Sequence, residues 1–251
     1  MFCRVAMPTS PSSRLRLAGM VGLCLASLGL TGCQNITADS PEAAQIRLVD
    51  TSTDAPGLDV YLNGSGTAYN LGFATVTSYI PVTPGEYRIS ANRANTTQAL
   101  VTARGSLGGT RQYTAVVSNT LNSLQETIYP DANAAAPAGM IAVRVLHAAS
   151  GVGPIDVYLV PIAGTLANTA PLVRGLGYTG GGVYVNLPAN TAYTVSAVPA
   201  GVHPALAGPS VALSDVSVSG ASGSVRTVVI SDAQGNSKGL YGFVLKDFDT
   251  P

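Results

Sequence analysis

From residue 44 onward, apolar and polar positions alternate with a period of two. Tyr87, Ile89 and Ala91 fall on one side of an extended chain, and Arg88, Ser90 and Asn92 on the other. Val183, Val185 and Leu187 alternate in the same way with Tyr184 and Asn186. Successive side chains of a strand point to opposite faces, so this pattern, rich in Val, Ile, Tyr and Thr, predicts half-buried strands. Turn chemistry punctuates it at Asp54-Ala55-Pro56-Gly57, Asn63-Gly64, Pro84-Gly85, Gly108-Gly109, Gly151-Val152-Gly153-Pro154, Pro188-Ala189-Asn190 and Gly235-Asn236. No βαβ spacing and no helical period of useful length follows residue 33.

The strands fall into an internal repeat. Ile46-Arg47-Leu48-Val49 matches Val143-Arg144-Val145-Leu146, and Asp59-Val60-Tyr61-Leu62 matches Asp156-Val157-Tyr158-Leu159. Further matches join Leu71-Gly72-Phe73 to Leu176-Gly177-Tyr178, Tyr79 to Tyr184, Tyr87 to Tyr193, and Thr114–Ser118 to Thr227–Ser231. The offset between copies grows along the chain, so the second carries insertions, around 160–175 and 199–217, where loops tolerate them. About seven strands in roughly 90–110 residues is the size of an immunoglobulin-like sandwich. The expected fold is therefore all-β, two tandem immunoglobulin-like antiparallel β-sandwich domains after a signal peptide. The boundaries are 1–32 for a lipoprotein signal peptide, 33–43 for a polar tether, 44–131 for the first sandwich, 132–139 for a small-residue linker and 140–250 for the second sandwich.

Composition narrows the function classes. The chain has 251 residues, of which 10% are charged and 46% hydrophobic, which excludes a disordered chain. Thirteen basic and thirteen acidic residues give no net charge, so no basic face recommends nucleic acid as a partner. Arg4, Arg14 and Arg16 precede an uncharged apolar stretch, residues 17–30, shorter than the roughly 20 residues of a spanning helix. Leu30-Thr31-Gly32-Cys33 follows and resembles a bacterial lipobox, which implies acylation of Cys33 and a membrane partner through that lipid. Gln34 after the cysteine leans towards the outer membrane. Cys3 and Cys24 would leave with the signal peptide, so the mature chain is expected to carry no thiol, disulfide or thiolate metal site.

Residues 46–64, IRLVDTSTDAPGLDVYLNG, with the later YIPVTPGEYRISA and QYTAVVSN, resemble the bacterial "domain of unknown function 4397". The second copy is similar from Val143 to Tyr158 and keeps the family's His as His147, with Gly151-Val152-Gly153 in place of Asp-Ala-Pro. The first copy keeps Asp54-Ala55-Pro56 but has Asp50 where the His is expected. The resemblance implies exported or surface β domains, often in lipoproteins, and no established activity.

Chemistry is thin. Arg47 with Asp59, and Arg144 with Asp156, keep one spacing in both copies and suggest cross-strand pairs. Asp50 and His147 fall on the core side of their strands, where a polar group needs a hydrogen-bond partner. Asp50, Asp54 and Asp59 gather loosely around a turn without the spacing of a calcium loop, and with only His147 and His203 a zinc site is not expected. No nucleophile elbow, S-x-x-K, H-E-x-x-H or phosphate loop is present, and the run Gly180-Gly181-Gly182 reads as a turn or bulge. The expectation is a lipid-anchored cell-envelope protein acting as a non-catalytic binding or structural module, without cofactor or metal. His147, Asp50 and Asp54 are its candidate binding residues. An envelope protein or glycan is the expected partner, since repeated Tyr suit rims that are part apolar and part wet. The alternative is an envelope hydrolase with its site in a cleft between the domains.

Overall fold

The computed structural model describes residues 42–204, 213, 216–235 and 239–249. The expected signal peptide, Cys33 and most of the expected tether lie outside them. Among the described residues sixteen strands follow in chain order. The first half contains β1 (Ala44–Asp50), β2 (Leu58–Leu62), β3 (Ser65–Leu71), β4 (Ile80–Val82), β5 (Gly85–Arg93), β6 (Ala99–Leu107), β7 (Gln112–Ser118) and β8 (Gln125–Asp131). The second contains β9 (Met140–His147), β10 (Ile155–Pro161), β11 (Val173–Leu176), β12 (Val185–Pro188), β13 (Tyr193–Pro199), β14 (Ser217–Val218), β15 (Val225–Asp232) and β16 (Leu240–Phe248).

Each half is a sandwich of two sheets, and the strand orders correspond. The first half has β4-β1-β7-β8 and β3-β2-β5-β6; the second has β12-β9-β15-β16 and β11-β10-β13-β14. Most pairs are antiparallel, but each half also holds one parallel pair. β1 runs alongside β7 and β9 alongside β15. Parallel neighbours need a crossover, and here the chain makes it by passing through the opposite sheet.

The alternation places the cores. Ile46, Leu48, Leu58, Ile89 and Leu107 fill the first, and Ile141, Val145, Val157, Val195 and Ile230 the second. One strand is shorter than the pattern predicts. β12 begins at Val185, and Val183 stands outside it, 80% exposed, because the run Gly180–Gly182 reaches the sheet only through a single bridge from Gly181 to Leu146.

A third cluster joins the halves. Val49, Val116 and Tyr129 of the first pack with Leu146, Val229 and Leu245 of the second. Residues 132–139 between the halves hold no strand or helix.

Candidate functional site

Asp50 and His147, at corresponding strand ends, do the same structural task. Asp50 Oδ1 accepts the Ser52 N–H at 2.8 Å, and His147 Nδ1 accepts the Ala149 N–H at 3.3 Å. The acceptor role of Nδ1 leaves the proton on Nε2, which donates to the Gly153 carbonyl at 3.2 Å. Both side chains are buried. Burial pushes the Asp50 carboxyl up to about 7, against the lowering effect of its Ser52 bond, and its Oδ2 has no partner among the described residues. Burial pushes the His147 imidazole down. Asp54 is exposed, and its Oδ1 accepts the Leu121 N–H at 2.6 Å. The three candidates are thus in separate local roles. Among the described residues no three His, Cys, Asp or Glu converge as a metal-holding group.

The expected Arg47–Asp59 and Arg144–Asp156 pairs do not form. Each Asp instead ties a neighbouring strand and a loop of its own half. Asp59 accepts the Asn70 and Asn95 N–H groups, and Asp156 those of Gly175 and Gly201. The arginines turn the other way, into the contact between halves. Arg47 binds Asp247 through Nη2 and the Lys246 carbonyl through Nη1, while Arg144 binds Asp131 and the Pro130 carbonyl. Nε of each donates at 2.8 Å to a threonine of its own half, Thr114 or Thr227. Those hydroxyls donate in turn at 2.6 Å to Asp131 and Asp247. Tyr79 and Tyr184 complete the figure, each donating to the same-half Asp and lying under the same-half guanidinium at 4.7 and 4.8 Å. Burial, reinforced by these carboxylates, drives both phenols above their ordinary range. The charged side chains are 0–4% exposed. Within this contact they neutralise one another.

The halves differ after their second strand. In the first, β2 turns into β3 through Asn63-Gly64 alone, with φ of 49° and 85°, the left-handed pair of a type I′ hairpin. In the second, residues 162–172 stand between β10 and β11, with one 3-10 turn at Leu166–Asn168. This insertion walls two hollows on opposite sides of Thr169-Ala170-Pro171. One, of about 300 Å³, has a mixed lining that includes Asp156, Tyr158, Arg174 and His203. The other, of about 520 Å³, is apolar and lined by Leu159, Leu172, Leu187 and Tyr193. Asp156 lines this mixed hollow and holds the amides of Gly175 in β11 and Gly201 in the loop after β13. Ile162, at the head of the insertion, is 82% exposed.

Sequence reasoning located the longer loops but missed the buried carboxylates. Asp131 and Asp247 carry no local motif; their correspondence emerges only when β8 is aligned with β16. Glu126 was also silent in sequence. Its Oε2 accepts the Ala103 N–H, Oε1 has no partner among the described residues, and burial pushes the group up to about 7.

Residues 44–158 match the family model described as "Domain of unknown function (DUF4397)", which supports the resemblance across the first half and into β10 of the second. No curated protein matches the chain. Among solved structures, a family CBM26 module from Eubacterium rectale Amy13K, in complex with maltoheptaose, is 12% identical at a TM-score of 0.25. That alignment covers 78% of this chain and 96% of the module. The Bacillus anthracis TIE protein is 8% identical at a TM-score of 0.24, with 82% of this chain covered but 44% of that one. At these scores neither likeness carries an argument.

Proposed function

We propose, with the DUF4397 match over residues 44–158 as premise, that the protein is a lipid-anchored envelope module that binds a partner without catalysis. The second half is then a further copy of the same domain, diverged at the loops that meet the ligand. The observation carrying this reading is the 162–172 insertion, which builds adjoining hollows, one of mixed lining and one apolar, where the first half has a two-residue turn. Specific sites are commonly concave, mostly apolar and furnished with a few polar groups, and the two volumes fall in the customary range. The ligand is an envelope glycan or protein presenting an apolar surface beside a polar one. Cys33, acylated after removal of residues 1–32, would hold the module at the membrane, with the outer membrane favoured by Gln34.

The test uses residues 34–251 without lipid on a glycan array and in pull-downs from envelope extract. Binding is expected, and replacing 162–172 by Asn-Gly is expected to abolish it while the melting temperature stays within a few degrees. Retention of full binding by the replaced chain would refute the assignment of the site.

A further inference from the structure

The charges between the halves are reciprocal. Each half brings one Arg and one Asp at corresponding positions, so two first halves placed face to face would also be matched in charge. What separates the two arrangements is shape. Tyr129 of the first half lies over Gly181 of the second, where a Cβ would come within 3.0 Å of the ring and 3.2 Å of Leu146 Cδ2. The Tyr129 hydroxyl donates to the Thr179 carbonyl at 2.9 Å on the same turn.

The corresponding contact on the other side of the interface is built differently. Leu245 takes the place of Tyr129: Thr114 pairs with Tyr129 in β7–β8, and Thr227 with Leu245 in β15–β16. Val76 takes the place of Gly181, since Val76 bridges to Val49 as Gly181 bridges to Leu146. Leu245 and Val76 share the interface cluster. A large residue thus meets a glycine, while a leucine and a valine hold the corresponding positions.

We infer that the inner faces form a two-part interface that accepts only unlike halves, and that the second half of another copy of the chain can occupy it in place of the chain's own. Two first halves would drive Tyr129 against Val76 twice, and two second halves would leave Leu245 over the empty space at Gly181. Overpacking and voids both destabilise, and such mismatches are how matched charges are made selective. Assembly in trans is open because the named contacts all come from strands and the turns beside them, and none from residues 132–139.

The test inserts a protease site between Asn133 and Pro137 of the full chain and cuts the protein while folded. The fragments are expected to stay together as a 1:1 complex. Unlabelled and heavy-isotope samples are then mixed, unfolded in urea, refolded and weighed by native mass spectrometry. Complexes of one first and one second fragment should appear with labels mixed, and pairs of first fragments should be at least tenfold rarer. Tyr129→Leu with Gly181→Val makes the two contacts alike and should raise those like pairs. Separation of the cut fragments into monomers, or like pairs at their statistical share in the natural sequence, would overturn the inference. If refolding fails, mixing the cut samples in sub-denaturing urea gives the same readout.

Discussion

Arg47 of the first strand and Asp247 of the last, 200 residues apart in sequence, are bonded side chain to side chain in a buried contact. Breaking a buried pair by removing one partner leaves the other charge uncompensated, which costs about 3–5 kcal/mol. Arg47→Met and Asp247→Leu are each expected to lower urea-unfolding stability by about that amount. The double variant should lose less than their sum, with a coupling of roughly 1–3 kcal/mol. Additive losses would show that the two side chains do not act as a pair.

Stability should fall as pH rises towards about 7, because two raised carboxyls outweigh one lowered histidine. Asp50 and Glu126 are raised from 3.8 and 4.5 to about 7. A raised acid stabilises fully below its unfolded value, and that contribution is lost as pH climbs through about 7. His147 is lowered from 6.5, so its contribution is present above 6.5 and lost as pH falls through the folded value. Asp50→Asn replaces the carboxyl by a group that cannot ionise. It should gain roughly 2–4 kcal/mol at pH 8 relative to its effect at pH 4. Urea midpoints at the two pH values measure this, and an equal effect at both would contradict it.

Asp156 and Asp59 offer a matched pair for separating binding from folding. Alanine at either frees two backbone amides and should cost about 1–3 kcal/mol. Only Asp156→Ala should weaken ligand capture, since Asp156 lines one of the two hollows. Thermal melts run beside the pull-down read both effects.

Cys33→Ser should move the full-length protein from the membrane fraction to the soluble one on cell fractionation. Unchanged membrane association would rule out lipid at this residue as the anchor.

Alternation at Tyr87–Asn92 made the strands legible because burial on one face imposes a period of two. The repeat foreshadowed the matching strand orders for the same reason. The Arg–Asp spacing misled because its two members are retained for unrelated tasks. Arg47 serves the contact between halves, and Asp59 serves backbone amides. No local rule links Arg47 to Asp247, whose proximity exists only after both sandwiches have closed. Gly181 looked like loop punctuation because the ring that fills its space, Tyr129, belongs to the other half.

The bond from Arg47 to the Lys246 carbonyl and the Asp247 carboxylate has a kinetic consequence. A folded chain ordinarily frays from its ends, and proteases enter there. Here the opening strand is fastened to the closing one, so neither can peel away without unburying a charge on the other. The two sandwiches are clasped through these strands, and release of either strand must await a rupture shared by both.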